Sequence, residues 1–130
     1  MDPARLKKIP VFADLTDEEL GHIAALAAEV SVPESKELVR EGDYSYDVLA
    51  IAEGTARVER AGATIAELAP GDVVGEMGVL KREQRNATVV ATSPMLLVTL
   101  TSWDIRRLQK TAPKAVAHLR DVVAQRSDQA

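Results

Sequence analysis

Apolar positions change their spacing twice along this 130-residue chain, dividing it into a helical, a strand-rich and a second helical segment. In the first segment Leu20, Ile23, Ala24, Ala27 and Ala28 recur every three or four residues, as on one face of a helix. Thr16-Asp17-Glu18-Glu19 stands directly before them as a capping box, so a helix is predicted to begin at Thr16. A shorter helical lead is expected over 2–8, ending at Pro10. From Val30 the pattern becomes one of short β-branched runs, at 30–32, 37–40, 48–52, 56–60, 64–68, 87–91 and 96–100. Their spacing of roughly 8–12 residues is the rhythm of a sandwich or barrel. Turn residues separate them: Pro33-Glu34-Ser35, Glu53-Gly54, Ala61-Gly62, Pro70-Gly71-Asp72 and Ser93-Pro94. One helical turn is predicted over 75–80. After Thr101, a cap with Asp104 three residues on, the helical period returns as far as about Lys110. Pro113 then suits the first turn of a last helix reaching Arg126.

Composition narrows the function classes. The length suits one domain able to bury a core, and no internal repeat or low-complexity stretch suggests another. A net charge of −4 gives no broad electrostatic footprint for nucleic acid, so nucleic-acid binding is not expected. No apolar stretch approaches the ~20 residues of a membrane span, and residues 1–20 carry no signal-peptide core. The absence of cysteine removes disulfides, thiol chemistry and thiolate metal sites, and fits a cytoplasmic protein. Only Phe12, Tyr44, Tyr46 and Trp103 are aromatic, so the core must be Val, Leu, Ile and Ala. Trp103 reads as an anchor between helix and barrel, and the two tyrosines as packing on the barrel end.

Candidate chemistry concentrates in Val74-Gly75-Glu76-Met77-Gly78-Val79-Leu80, followed by Arg85-Asn86-Ala87-Thr88-Val89. A glycine lets backbone come close, N–H groups at the start of a turn point at an anion, and an arginine supplies a forked full charge. A carboxylate here would repel a phosphate, so its fitting task is to accept a sugar hydroxyl. The set suits a small anion that also carries a ribose.

Gly75-Glu76-Met77-Gly78 with Arg85-Asn86-Ala87-Thr88-Val89 resembles the phosphate-binding cassette of the cyclic nucleotide-binding domain family. Glu41-Gly42, Ile51-Ala52-Glu53-Gly54 and Pro70-Gly71-Asp72 resemble the family's structural turns in the same order, so the likeness runs from about Leu6 to Arg126. It implies a β-roll of jelly-roll type, mainly β with flanking helices, filling 1–130 as a single domain. The helical lead would be 1–29, the roll 30–100 with its cassette at 74–89, and the C-terminal helices 101–126. It further implies that Arg85 pairs with the cyclic phosphate and that Glu76 accepts the ribose 2′-hydroxyl. The backbone N–H groups of Gly78 and Asn86 would bind phosphate, with Gly75 allowing close approach, Met77 inside the turn and Ala87 leaving room for the sugar. Val58, Ile65 and Val74 match base-facing positions, although ordinary core packing explains each singly. Val74 replaces a phenylalanine common in relatives. Asn86 stands where many cAMP-binding relatives have Ala or Ser and where Thr often accompanies cGMP preference. The implied ligand is cAMP, with cGMP left open, and no cofactor or metal is called for.

No catalytic constellation appears: there is no Gly-x-Ser-x-Gly, no Cys–His pair and no carboxylate dyad. His22 and His118 fall on the first and last helices without an acidic partner at metal-ligand spacing. The expectation is therefore a non-enzymatic cyclic-nucleotide sensor whose C-terminal helices move on binding. Its output would pass to a protein partner or an effector domain, with oligomeric state open. The alternatives are a family-like domain that no longer binds and serves as a docking or dimerisation scaffold, and an enzyme on the same fold. Intact Glu76 and Arg85 argue against the scaffold, and missing metal ligands argue against the enzyme.

Overall fold

The computed structural model describes residues 1–42, 47–74 and 87–127, and side chains as far as Asp121. Helix α1 (Pro3–Lys7) is capped by the Asp2 carboxylate and leads into a 3₁₀ turn at Pro10–Phe12. Helix α2 (Asp17–Leu26) opens on the predicted capping box. Thr16 Oγ1 accepts from the Glu19 N–H at 3.1 Å, and Glu19 Oε1 accepts from the Thr16 N–H at 2.9 Å. The helix is shorter than its apolar pattern suggested. Ala27 is already extended, and Ala28 opens a strand as an exposed residue, because the chain must turn there to meet its sheet.

The strands are β1 (Ala28–Val32), β2 (Glu37–Val39), β3 (Asp47–Glu53), β4 (Ala56–Arg60), β5 (Ala63–Leu68), β6 (Val73–Val74), β7 (Thr88–Ala91) and β8 (Met95–Thr101). They form two antiparallel sheets, β1-β8-β3-β6 and β2-β7-β4-β5, with flanking helices, which is the expected jelly-roll architecture. Strands β3 and β8 of the first sheet are buried on both faces, whereas its edge strand β1 is largely exposed. Val48 and Ala50 of β3, Val98 and Leu100 of β8, and Val73 of β6 pack under the helices. Their alternates Ile51, Met95, Leu97 and Val74 face the second sheet. Two-sided burial explains why β3 reads as an unbroken apolar run, whereas β4 alternates Ala56 and Val58 inward with Arg57 and Glu59 outward.

Helix α3 (Ser102–Thr111) follows β8 without a loop through a second capping box, Thr101 with Asp104. Helix α4 (Pro113–Ser127) starts on the predicted proline. Ile105, Leu108, Val116 and Leu119 fill the helical core with Leu6, Phe12, Leu20 and Ile23. Trp103 does not: it is 69% exposed. At 100° per residue it sits about 200° round the axis from buried Ile105, so the face that buries Ile105 and Leu108 turns Trp103 outward. The expected helical turn at 75–80 and the packing of Tyr44 and Tyr46 fall outside the described residues.

Two expectations follow. Gly54 has φ +90° and a Cβ there would lie 2.4 Å from the Pro94 carbonyl oxygen, while Gly62 has φ +83° and open space around it. Gly62→Ala should lose only the left-handed backbone term, about 1 kcal/mol, and Gly54→Ala about 1–3 kcal/mol more. Urea unfolding of both variants checks the order, and equal midpoints would refute the close approach. Secondly, the Thr16 backbone hydrogen bond holds the Glu19 carboxyl below its ordinary value, against a smaller opposing effect of burial. A depressed folded-state pKa adds stability above the unfolded value that is lost as pH falls through the folded one. Glu19→Gln should therefore flatten part of the acid limb below about pH 4.5, read from urea midpoints against pH.

Candidate functional site

The segment that carries the candidate chemistry hangs between β6 and β7, and both attachments are built by short-range constraints. On the approach, the turn Pro70-Gly71-Asp72 is fastened to the middle of β3. The Gly71 N–H donates to the Ile51 carbonyl and the Ile51 N–H donates to the Asp72 carbonyl, each at 2.9 Å. Asp72 closes the turn on itself, its carboxylate accepting from the Ala69 N–H at 2.8 Å. Gly71 has φ +97°, and a Cβ there would press on the Pro10 ring at 3.0 Å, so the turn also rests on the helical layer. Strand β6 then pairs with β3, Val73 opposite Ala50 and Val74 opposite Leu49. A strand this short was not legible as a β run, yet its two side chains go to opposite layers, Val73 under the helices and Val74 between the sheets.

On the departing side Ala87 is buried in the same inter-sheet cluster that Val74 touches. Both flanks of the segment thus pack in one apolar layer, formed by Ile51, Val58, Leu68, Val89 and Leu97. Val58 lies in that layer, as ordinary core packing requires. Ile65 does not: it is 37% exposed, because Ala66 and Leu68 take the inward positions of β5 and alternation sends Ile65 outward. Gly75, Glu76, Met77, Gly78, Arg85 and Asn86 lie outside the described residues, so of the eight candidate residues the structure describes Val74 and Ala87.

One element of the surround escaped the sequence reading. The Glu41 N–H donates to Thr88 Oγ1 at 2.9 Å, and Glu41 Oε1 accepts from the Ala61 N–H at 3.2 Å. Glu41 thereby ties the start of β7, one residue beyond Ala87, to the β4–β5 turn, where Ala61 has φ +52°. The Glu41-Gly42 pair was visible as a turn signal, but its partners lie 47 and 20 residues away.

The histidines sit on the helical side. His118 Nε2 lies 2.7 Å from the Val11 carbonyl and fastens α4 to the 3₁₀ turn. His22 does have an acidic neighbour, Glu18 at 3.9 Å, one turn earlier on α2. No group of three or more potential metal ligands occurs among the described residues.

Comparison with known proteins agrees with this geometry. The family model for the cyclic nucleotide-binding domain matches residues 29–112. The chain is 28% identical over 126 residues to a cyclic AMP receptor protein of Thermus thermophilus, covering 93% of this chain and 58% of that protein. It is 29% identical over 118 residues to a cyclic nucleotide-gated potassium channel of Mesorhizobium japonicum, covering 91% and 33%. The chain therefore spans less than two thirds of the length of these curated relatives. A solved cyclic nucleotide-binding domain from Methylobacillus flagellatus superposes with a TM-score of 0.79 at 25% identity, covering 97% of this chain and 76% of that one.

The Glu41 tie makes a local prediction. Thr88→Val removes the acceptor of the Glu41 N–H and should cost about 0.5–1.5 kcal/mol of stability. Hydrogen exchange at the Glu41 amide should accelerate in that variant and return to the wild-type rate in Thr88→Ser. An unchanged exchange rate in Thr88→Val would show that the hydroxyl holds nothing.

Proposed function

The chain belongs to the cyclic nucleotide-binding domain family, and from that premise we propose that it binds cAMP reversibly and signals by moving its C-terminal helices. The family is one of regulatory ligand-binding domains rather than of catalysts. The observation that carries the reading concerns the two flanks of residues 75–86, the edge strand β6 of one sheet and the interior strand β7 of the other. Val74 and Ala87 at their two ends pack in a single apolar layer. A ligand seated on that segment has a dry floor, and a dry floor strengthens its charged contacts.

On this reading Arg85 neutralises the cyclic phosphate through its guanidinium, and Glu76 accepts the 2′-hydroxyl of the ribose. Gly75, Met77 and Gly78 supply close backbone, and the N–H groups of Gly78 and Asn86 take the remaining phosphate oxygens. Val58 and Val74 offer apolar surface to the base, and Asn86 is the residue through which cGMP competes with cAMP. Output follows from β6. Val73 shares the helical core with Val116 and Leu119, and α4 packs directly against β6. A ligand that draws on Val74 therefore bears on α4 through the adjoining residue. The shift requires the ligand to bind one helix arrangement more tightly than the other. The receiver is a protein partner or an effector domain, in the cytoplasm. No helix among the described residues is long and apolar enough to cross a membrane.

Calorimetric titration with cAMP and cGMP separates this reading from a non-binding docking scaffold, which would give no heat with either. Arg85→Ala should cost about 2–5 kcal/mol of binding, upwards of tenfold in affinity, in a protein that still folds. The 2′-deoxy analogue of cAMP should bind wild type far more weakly than cAMP does. Equal affinities for cAMP and the analogue would remove Glu76 from its assigned role, and unchanged affinity in folded Arg85→Ala would remove the arginine.

A further inference from the structure

Helix α3 turns an unusual face to solvent. Trp103, Arg106, Arg107 and Lys110 follow one another at i, i+3, i+4 and i+7, one stripe over two turns, about 10 Å along the axis. All four are exposed and line a shallow groove of about 330 Å³. The Arg106 guanidinium lies 5.1 Å from the centre of the Trp103 ring. Elsewhere Arg5, Lys7, Arg40 and Arg57 each have a carboxylate beside them, and the cations that have none among the described residues, such as Lys8 and Lys36, are scattered rather than gathered on one helix face. Arg106, Arg107 and Lys110 have none among the described residues. The one carboxylate of α3, Asp104, is taken up by the cap at Thr101. Unmatched cations gathered on one helix are out of keeping with a chain whose carboxylates outnumber its lysines and arginines 20 to 16.

We propose that this face docks an acidic amphipathic helix of a partner protein. Charge complementarity calls for carboxylates, and Arg106 and Lys110, one turn apart with Arg107 beside them, are matched by carboxylates one turn apart on a helix lying alongside. The tryptophan and arginines favour protein over other polyanions, since these residues supply most of the binding energy where protein surfaces meet. Trp103 would bury its ring against the partner's apolar stripe while Arg106 exchanges the ring for a carboxylate. Duplex nucleic acid and anionic membranes fit less well. Their charge extends far beyond four residues, and the net charge of −4 repels an extended polyanion.

Trp103 is the only tryptophan in the chain, so its emission reports on this face alone. The probe is a synthetic helical peptide of about 14 residues, with glutamates one turn apart at i and i+4 beside a leucine stripe, titrated into the full chain. Binding should shift Trp103 emission to the blue and weaken severalfold on raising salt from about 0.05 to 0.5 M. Joint substitution Arg106→Glu and Lys110→Glu should weaken it at least tenfold with the melting curve unchanged, both side chains being exposed. Trp103→Ala, followed by calorimetry, should weaken it comparably. No spectral change, an equal change with a lysine-for-glutamate peptide, or indifference to charge reversal would overturn the proposal. So would tighter binding of a 20-base-pair duplex or of phosphatidylserine vesicles, which would make the face a site for extended polyanions.

Discussion

The structure depends on one constraint: the central strands β8 and β3 of the sheet β1-β8-β3-β6 have to be apolar on both faces at once. Helices cover one face and the second sheet covers the other, so consecutive residues of β3 serve two different cores. Val48 and Ala50 belong to the helical core, and Ile51 belongs to the layer between the sheets. Such a strand cannot slip by one residue without exchanging the two cores, which fixes register more firmly than a sheet with one wet face allows. The same constraint explains the composition. With one phenylalanine in the chain, the two layers are filled by Val, Leu, Ile and Ala, whose branched side chains fit closely between neighbouring strands.

This two-sided sheet also gives the candidate site its footing. Both hydrogen-bonding groups of Ile51 are used to hold the turn at Gly71 and Asp72, so β6 starts from the most constrained strand of the fold. The far side is held differently. Thr88 and Glu41 join β7 to the β4–β5 turn through one hydroxyl and one carboxylate, both on the surface. This tie adds to the backbone ladders of β7, which runs between β2 and β4 with Val89, Val90 and Ala91 buried, so the segment is held by a sheet at both ends.

What was legible in the sequence follows the same logic. Runs with a clear period announced their elements, and both capping boxes were readable because a cap is local chemistry within four residues. Strand β6 was not, since two valines carry no period. Trp103 was misread because an aromatic residue on a helix suggests burial, whereas the angle it makes with Ile105 and Leu108 decides the matter. Ile65 stays out of the core for the related reason that the phase of β5 is set by Ala66 and Leu68. Of the site, the flanks Val74 and Ala87 pack in one apolar layer, and the other six candidate residues lie outside the described residues. The Glu41 tie was beyond reach, because it joins residues whose proximity only the completed sheets create.

The helical side is held at two separate places. Helix α3 continues β8 directly and is held by its cap, while α4 bears on β6 and is fastened to Val11 by His118. Between them Ala112 leaves the helical region, with φ −146° and ψ 61°, and Pro113 starts the next helix without needing an N–H partner. The two helices are therefore separate bodies that meet at one non-helical residue. Their junction is lined by Ala112 and Ala115, both fully buried and both small. Small side chains let surfaces approach closely while interlocking little, so a shear of α4 over the sheet displaces chiefly Val116 and Leu119. Those two share a core with Val73, whose neighbour Val74 borders the candidate site.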